Sequence, residues 1–286
     1  MSRAGTRMRL IIAALMGLAS ASGLAAQDWR TVAASHLTTG EPMRAEVRYS
    51  AGFLRLGAGD AGRAYALTVR YDEERFDLVN EFTDQRLRVG VSGSVRGLGS
   101  LKLDDDAGEL DLRLDPDTPL YLDIEFGAGK GDIDLGGLNL TNLKLTTGAT
   151  ETRVSVSAPT ARAFAQAEFE VGAADFEARQ LGNLRAHRLE IAAGVGDVRL
   201  DFSGAGDTGQ TPMEVRVSLG IGALELRIPT DVGVRIERDA FLTSMDLPDM
   251  NERDGAWYSE NWDSAARRID FEIEAAFGDV ELVWLR

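Results

Sequence analysis

The 286-residue chain contains no cysteine, two histidines and four tryptophans. Without cysteine there can be no disulfide, zinc–thiolate site, iron–sulfur cluster, cysteine nucleophile or lipoprotein-type lipid attachment. Burial alone has to hold the fold. Basic residues are also scarce, with 31 Lys and Arg against 46 Asp and Glu. That balance argues against nucleic acid as a partner and against binding to an anionic membrane surface. It describes a solvated, acidic exterior. After the first 26 residues no apolar run approaches the roughly 20 residues that a membrane-spanning helix needs.

The N-terminus is the exception to both shortages. Arg3, Arg7 and Arg9 precede the apolar, small-residue stretch "LIIAALMGLASASGLA", and Gly23-Leu24-Ala25 supplies small residues ahead of a cut. Residues 1–26 therefore read as a Sec-type signal peptide, the alternative being a retained anchor helix. Its removal takes three basic residues and no acidic one, leaving 28 bases against 46 acids and a net charge of −18. The expected mature protein, residues 27–286, is exported to the periplasm or cell surface as a single elongated domain.

What the chain has in abundance is glycine, 31 residues, set in a recurring frame. "GVGDVRL" at 194–200 returns as "GIGALEL" at 220–226 and "AFGDVEL" at 276–282, each inside alternating apolar and polar residues. "EVRYSAGFLRL" and "VRGLGSLKL" carry related frames near the front. Period-two alternation signals strands, and the glycines mark places where the backbone turns or has no room for a side chain. A longer repeat encloses the short one: "LGGLNLTNLKLTTG" at 135–148 lies over "LGNLRAHRLEIAAG" at 181–194 at a constant offset of 46 residues. This pairs Leu138 with Leu184, Leu143 with Leu189 and Leu145 with Ile191.

Fixed-period self-similarity is what stacked units leave in a sequence, since each unit buries its apolar edge on the next. The expected fold is all-β, a right-handed β-solenoid of short glycine-punctuated strands with 46 residues making two turns. An antiparallel β-sandwich, with G-x-G in the hairpin turns, is the alternative. Residues 64–79 read as ordinary longer strands around an acidic turn.

Catalytic and ligand-binding patterns are few. His36 and His187 stand apart, and His187 falls on an outward position of the repeat. No nucleophile elbow, histidine pair or Walker loop is present. "GAGKGDIDL" at 127–135 approaches a calcium nonapeptide, but Asp132 directly follows Gly131 and no tandem copy stacks on it. Asp104, Asp105, Asp106, Glu109 and Asp111 form an acidic cluster that reads first as a solvated turn. No catalytic residue, metal site or cofactor is expected.

One segment, 239–266, interrupts the repeat and gathers Phe241, Trp257, Tyr258 and Trp262. Such a group suits either a cap over the repeat's flank, with "NERDG" at 251–255 as the exposed bend, or a contact surface for a partner.

The frames "EFGAGKGDIDLGGLNLTNLKLTTGA", "EIAAGVGDVRLDF" and "SLGIGALELRIPTDVGVRI" resemble the toastrack ("putative adhesin") domain family, and "YSENWDSAARRIDFEIEAAFGDVELVWL" resembles the C-terminal domain of cell-envelope stress proteins that respond to wall-active antibiotics. The resemblance spans most of residues 45–286. It implies an all-β, solenoid-like, non-enzymatic envelope domain used for contacts with a protein or a wall polymer. The chain departs from membrane-bound members by lacking their N-terminal transmembrane helices. The competing function is a divergent carbohydrate-active enzyme of the parallel β-helix type, which would need outward carboxylates converging in a groove.

Overall fold

The computed structural model describes residues 29–93, 108–173, 175–206, 211–240 and 243–286. The expected signal peptide and Asp104, Asp105, Asp106 and Phe241 lie outside the described residues. The chain opens with β1 (Trp29–His36), β2 (Met43–Ala58), β3 (Tyr65–Asp72), β4 (Asp77–Thr83), β5 (Arg86–Ser92) and β6 (Glu109–Leu114). It continues through β7 (Leu120–Asp134), β8 (Leu140–Ser155), β9 (Phe164–Ala173), β10 (Asp175–Arg179), β11 (Ala186–Asp201) and β12 (Met213–Pro229). It closes with β13 (Val232–Ala240), β14 (Thr243–Asp246), β15 (Met250–Arg253), β16 (Ala256–Ser259) and β17 (Arg267–Leu285). All belong to one mixed 17-stranded sheet, and no α-helix occurs among the described residues.

The centre of that sheet is a parallel ladder. Its rungs run β2, β7, β8, β9 with β10, β11, β12 and β17, each hydrogen-bonded in parallel to the next. Antiparallel pairing is confined to the two ends. There β4 lies on β5 and β3 on β6, with β1 on β3, while at the other end β16 lies on β13 and β15 on β16. Hairpins between successive long strands, the alternative expectation, are not how the ladder is built.

The 46-residue spacing covers two rungs. Leu143 pairs with Ala167 and Ala167 with Leu189, steps of 24 and 22 residues. The same column continues through Val215 to Phe271, and every member is buried. Beside it runs Leu145, Phe169, Ile191, Val217 and Ile273. A fully buried Leu, Ile, Val or Phe side chain contributes about 1.5–3 kcal/mol. The two columns therefore form a continuous core seam in place of separate local clusters.

The G-x-G pair bends a strand without ending it. In β12 the buried residues are Val215, Val217 and Leu219 before the pair and Leu224, Leu226 and Ile228 after it, so the inward set changes from odd to even positions. Gly222 and Gly278 take φ of 149° and 141°, and they stack in register with Gly196. A Cβ on Gly222 would overlap the carbonyl oxygen of Gly196, and one on Gly278 that of Gly222. The sequence signal for a turn is in fact a corner within a continuous strand, and at Gly222 and Gly278 the neighbouring corner lies too close for a side chain, whereas β8 carries Thr150 at the equivalent place.

Strand ends are tied to the next rung by polar side chains. Asp134 accepts hydrogen bonds from the Ser157 hydroxyl at 2.6 Å and from the N–H groups of Gly136 and Ser157 at 2.9 and 3.1 Å. Buried Asn183, in the 3-10 turn Leu181–Leu184, donates to the Val156 carbonyl at 2.9 Å and accepts from the Ala205 N–H at 2.8 Å. It thus links three successive chain passages. Leu138 and Leu184 are both fully buried beside these ties.

Two strands sit out of chain order. β2 lies between β7 and the pair β5 and β6, while β17 lies between β12 and the pair β13 and β14. The segment 239–266 is accordingly not a single loop: β14 joins the ladder, and β15 with β16 forms a hairpin on the edge of β13.

Candidate functional site

One residue of each corner, flanked by at least one glycine, points outward. Along the ladder this position is Ala51, Ala128, Ala149 and Ala173, then Val195, Ile221 and Phe277, consecutive neighbours being paired wherever the register is described. In the last three rungs the alanine methyl becomes a large apolar side chain. Val195, Ile221 and Phe277 are 53%, 55% and 47% exposed. Rungs about 4.8 Å apart make this a ridge roughly 10 Å long.

The strand period explains why these side chains are outside. Val195 follows Leu189, Ile191 and Ala193 on the inward set, and without the corner it would be buried. The bend carries it into solvent. Beside the ridge a shallow trough of about 570 Å³ is floored by Ala193, Gly194, Leu219, Gly220, Ala275 and Ala276. Its rim is acidic on β17, where Glu274 precedes Phe277 and Asp279 and Glu281 follow it, all exposed. None of these three carboxylates makes an ion pair among the described residues. Farther out the acids are matched: Arg188 meets Glu214 and Arg216 meets Glu272, each at 2.6 Å.

The aromatic residues expected from the sequence lie elsewhere. Trp257 sits opposite Ile236 on the β16 edge and packs, half-buried, against the core. Tyr258 receives a hydrogen bond from Arg235 Nε at 3.2 Å, and its ring stacks edge-on with Trp262 at 5.9 Å. The Arg253 guanidinium covers the Tyr258 ring at 4.3 Å. Residues 251–255 are all exposed, and Asp254 and Gly255 turn the hairpin with positive φ. Tyr258 and Trp262 thus meet on the flank of the ladder, while Trp257, next to Tyr258 in β16, turns to the core, and all three lie away from the corner ridge.

The remaining sequence candidates stay dispersed. His36 lies against Phe82 at 4.6 Å, and His187 is exposed. Glu109 and Asp111 face Arg55 at 3.0 and 3.5 Å, and Arg113 meets Asp111 at 2.8 Å, so arginine occupies the position a cation would take. Lys130 of "GAGK" pairs with Glu151 at 3.8 Å across two rungs. No cluster of His, Asp or Glu among the described residues has metal-holding geometry. The ridge itself was not anticipated. Its signal was present as the growth of the central residue in the frames GAG, GVG, GIG and AFG from Ala to Val, Ile and Phe.

Comparison with known proteins gives two family matches. Residues 41–179 match the model described as the N-terminal domain of toast_rack, DUF2154. Residues 177–282 match the model described as Cell wall-active antibiotics response LiaF, C-terminal. The matches meet within β10, which is paired to β8 on one side and β11 on the other, so the sheet crosses the boundary unbroken.

No curated protein matches the chain. Among solved structures, a "putative cell adhesion protein" from Clostridium sporogenes ATCC 15579 is similar at 16% identity and a TM-score of 0.44, over 90% of this chain and 100% of that one. A "putative adhesin" from Bacteroides fragilis NCTC 9343 is similar at 11% identity and a TM-score of 0.42, over 90% and 98%.

Proposed function

Because this chain joins a Toast_rack N-terminal domain to a LiaF-like C-terminal domain, we propose that it is an exported, non-catalytic contact scaffold of the cell envelope whose corner ridge receives a partner protein. In this reading residues 27–286 form one elongated right-handed β-solenoid, and Trp257, Tyr258 and Trp262 close its flank as a cap. The observation that carries the proposal is the run of Val195, Ile221 and Phe277 in adjacent rungs at half exposure. Single exposed apolar residues are ordinary, whereas a contiguous set beside a trough marks a contact surface.

The chemistry of the surroundings selects the partner. A wall polymer needs many hydrogen-bonding side chains, whereas the trough is lined mostly by glycine, alanine and leucine, with Ser218 and Glu274 as its polar side chains. Glu274, Asp279 and Glu281 favour a partner segment that is apolar on one face and basic at its margins.

The non-catalytic reading draws support from one outer carboxylate, Glu177. A hydrogen bond from Arg179, with Arg153 adding to it, holds the Glu177 carboxyl below the usual carboxylate range. The general acid of a glycosidase needs a raised value.

A photo-crosslinking amino acid placed at Ile221 in the cell envelope should give a discrete protein adduct. The same group at Ala128, on the alanine stretch of the corner, should give none. Phe277→Glu should abolish the adduct from position 221 while leaving thermal melting unchanged. Equal adducts from both positions, or an adduct insensitive to Phe277→Glu, would overturn the ridge as the contact.

A further inference from the structure

The N-terminal end of the ladder carries an open sheet edge. Strand β1 is paired to β3 alone among the described residues, antiparallel from Trp29 opposite Asp72 to His36 opposite Tyr65, so one row of its backbone donors and acceptors faces away from the sheet. Native sheets guard such edges with charged side chains, proline, bulges or short length. The other strands paired on one side only are guarded in this way: β4 carries Asp77 and Glu81, while β14 and β15 are four residues long and carry Asp246, and Glu252 with Arg253. Strand β1 is not. It runs for eight residues in unbroken register, without proline, lysine or carboxylate, and its one arginine, Arg30, is neutralised by Glu73 at 2.9 Å.

The two faces of β1 differ. Val32 and Ala34 turn inward and pack against the core, whereas Thr31, Ala33 and Ser35 are exposed. Just past the strand Leu37 is 71% exposed, the highest value among the large apolar side chains described. A two-fold axis through the sheet keeps inward residues on inward ones, so an antiparallel pair of two β1 strands must join positions of equal parity. An axis on Ala33 matches the chemistry along the strand. Val32 meets Ala34, and Thr31 meets Ser35, whose hydroxyl accepts from Arg63 at 2.9 Å and still has a proton to donate. Trp29 meets Leu37, which gives the exposed leucine an aromatic neighbour across the pair. Arg30, held by Glu73, comes opposite His36. An axis on Val32 would set Trp29 against Ser35 and Arg30 against Ala34 instead.

We propose that the chain associates with a second copy of itself through β1, the two sheets joining edge to edge in an antiparallel pair centred on Ala33. Main-chain hydrogen bonds supply the attraction, and the alternating side chains fix the register. Like charges opposed across a strand pair destabilise it, and this strand carries none of the chain's 46 Asp and Glu residues. The inference is independent of the corner ridge and of its partner.

The chain has no cysteine, so an introduced thiol meets no competitor. Opposed Cβ atoms in an antiparallel pair lie about 5 Å apart, near disulfide reach, whereas the two copies of residue 31 would be about 14 Å apart. Under mild oxidation of the folded full chain, Ala33→Cys should form a disulfide-linked dimer at least about tenfold faster than Thr31→Cys or Val79→Cys. In sedimentation equilibrium Ala33→Glu and Ala33→Lys should each self-associate at least about tenfold more weakly than the wild type, with thermal melting unchanged. An equimolar mixture of the two should recover the dimer, because opposite charges then meet at the axis. The proposal is overturned if the wild-type chain stays monomeric at about 200 μM. It is equally overturned if the three thiols link at the same rate, if the charged variants associate as the wild type does, or if their mixture stays monomeric.

Discussion

Gly194 and Gly222 occupy the two positions of the same corner motif, yet the space around them differs. A Cβ on Gly194 would sit 3.0 Å from the Gly172 carbonyl oxygen, a contact that a small backbone shift relieves. A Cβ on Gly222 would overlap the Gly196 carbonyl, at a φ of 149° that L-residues rarely adopt. Gly222→Ala should therefore destabilise the protein by about 2–4 kcal/mol, and Gly194→Ala by about 1 kcal/mol or less, in denaturant unfolding. Equal losses would show that the corner is set by something other than close approach. Glycine's role was legible in the sequence because crowding repeats wherever rungs stack. Whether the second glycine ends a strand or bends it was not legible, since both outcomes leave the same period-two pattern on either side. The outward fate of Val195, Ile221 and Phe277 was hidden for the same reason: parity alone places them in the core.

Among the elements, the hairpin of β15 and β16 is the clearest case of a partly legible feature. The gathering of Trp257, Tyr258 and Trp262 marked a departure from the repeat, and the bend at 251–255 followed from its composition. The pairing to β13 did not, because four-residue strands carry too few alternations to declare a partner. Trp257 packs against the core where Ile236 faces it, so Trp257→Ala should lower stability by about 1–3 kcal/mol and shift tryptophan emission. Unchanged unfolding midpoints would detach the hairpin from the core's energetics. The leucine register of the ladder was readable directly from the 46-residue offset, since residues two layers apart obey the same packing. The displaced positions of β2 and β17 were not readable, because strand order at a sheet edge depends on which edge is free after everything else has paired.

For the molecule as a whole, charge sets the dependence on pH. A hydrogen bond from Lys144, aided by the Thr146 hydroxyl, lowers the Glu170 carboxyl, and Arg179 does the same for Glu177. Burial works to raise the Asp134 carboxyl, but hydrogen bonds from Ser157 and Gly136 outweigh it and leave it lowered. Groups whose folded values are depressed contribute stability above the ordinary carboxylate range of about 4, and that stability is lost as pH falls through the folded values. Self-repulsion from a net charge of −15 acts in the opposite direction and eases as pH falls from 7. The melting temperature should hold or rise down to about pH 5 and drop below about pH 4. Continued stabilisation down to pH 3 would mean that repulsion dominates and the ion pairs contribute nothing. The displaced strands carry a different consequence, one of timing. During synthesis from the N-terminus β17 emerges after β12, β13 and β14, yet its place is between β12 and the pair β13 and β14. Until residue 285 is available, two rows of backbone donors and acceptors face each other across an unfilled slot. Strand β17 is thus a keystone, and a nascent chain lacking it exposes two open sheet edges, where strand addition by another polypeptide is most easily begun.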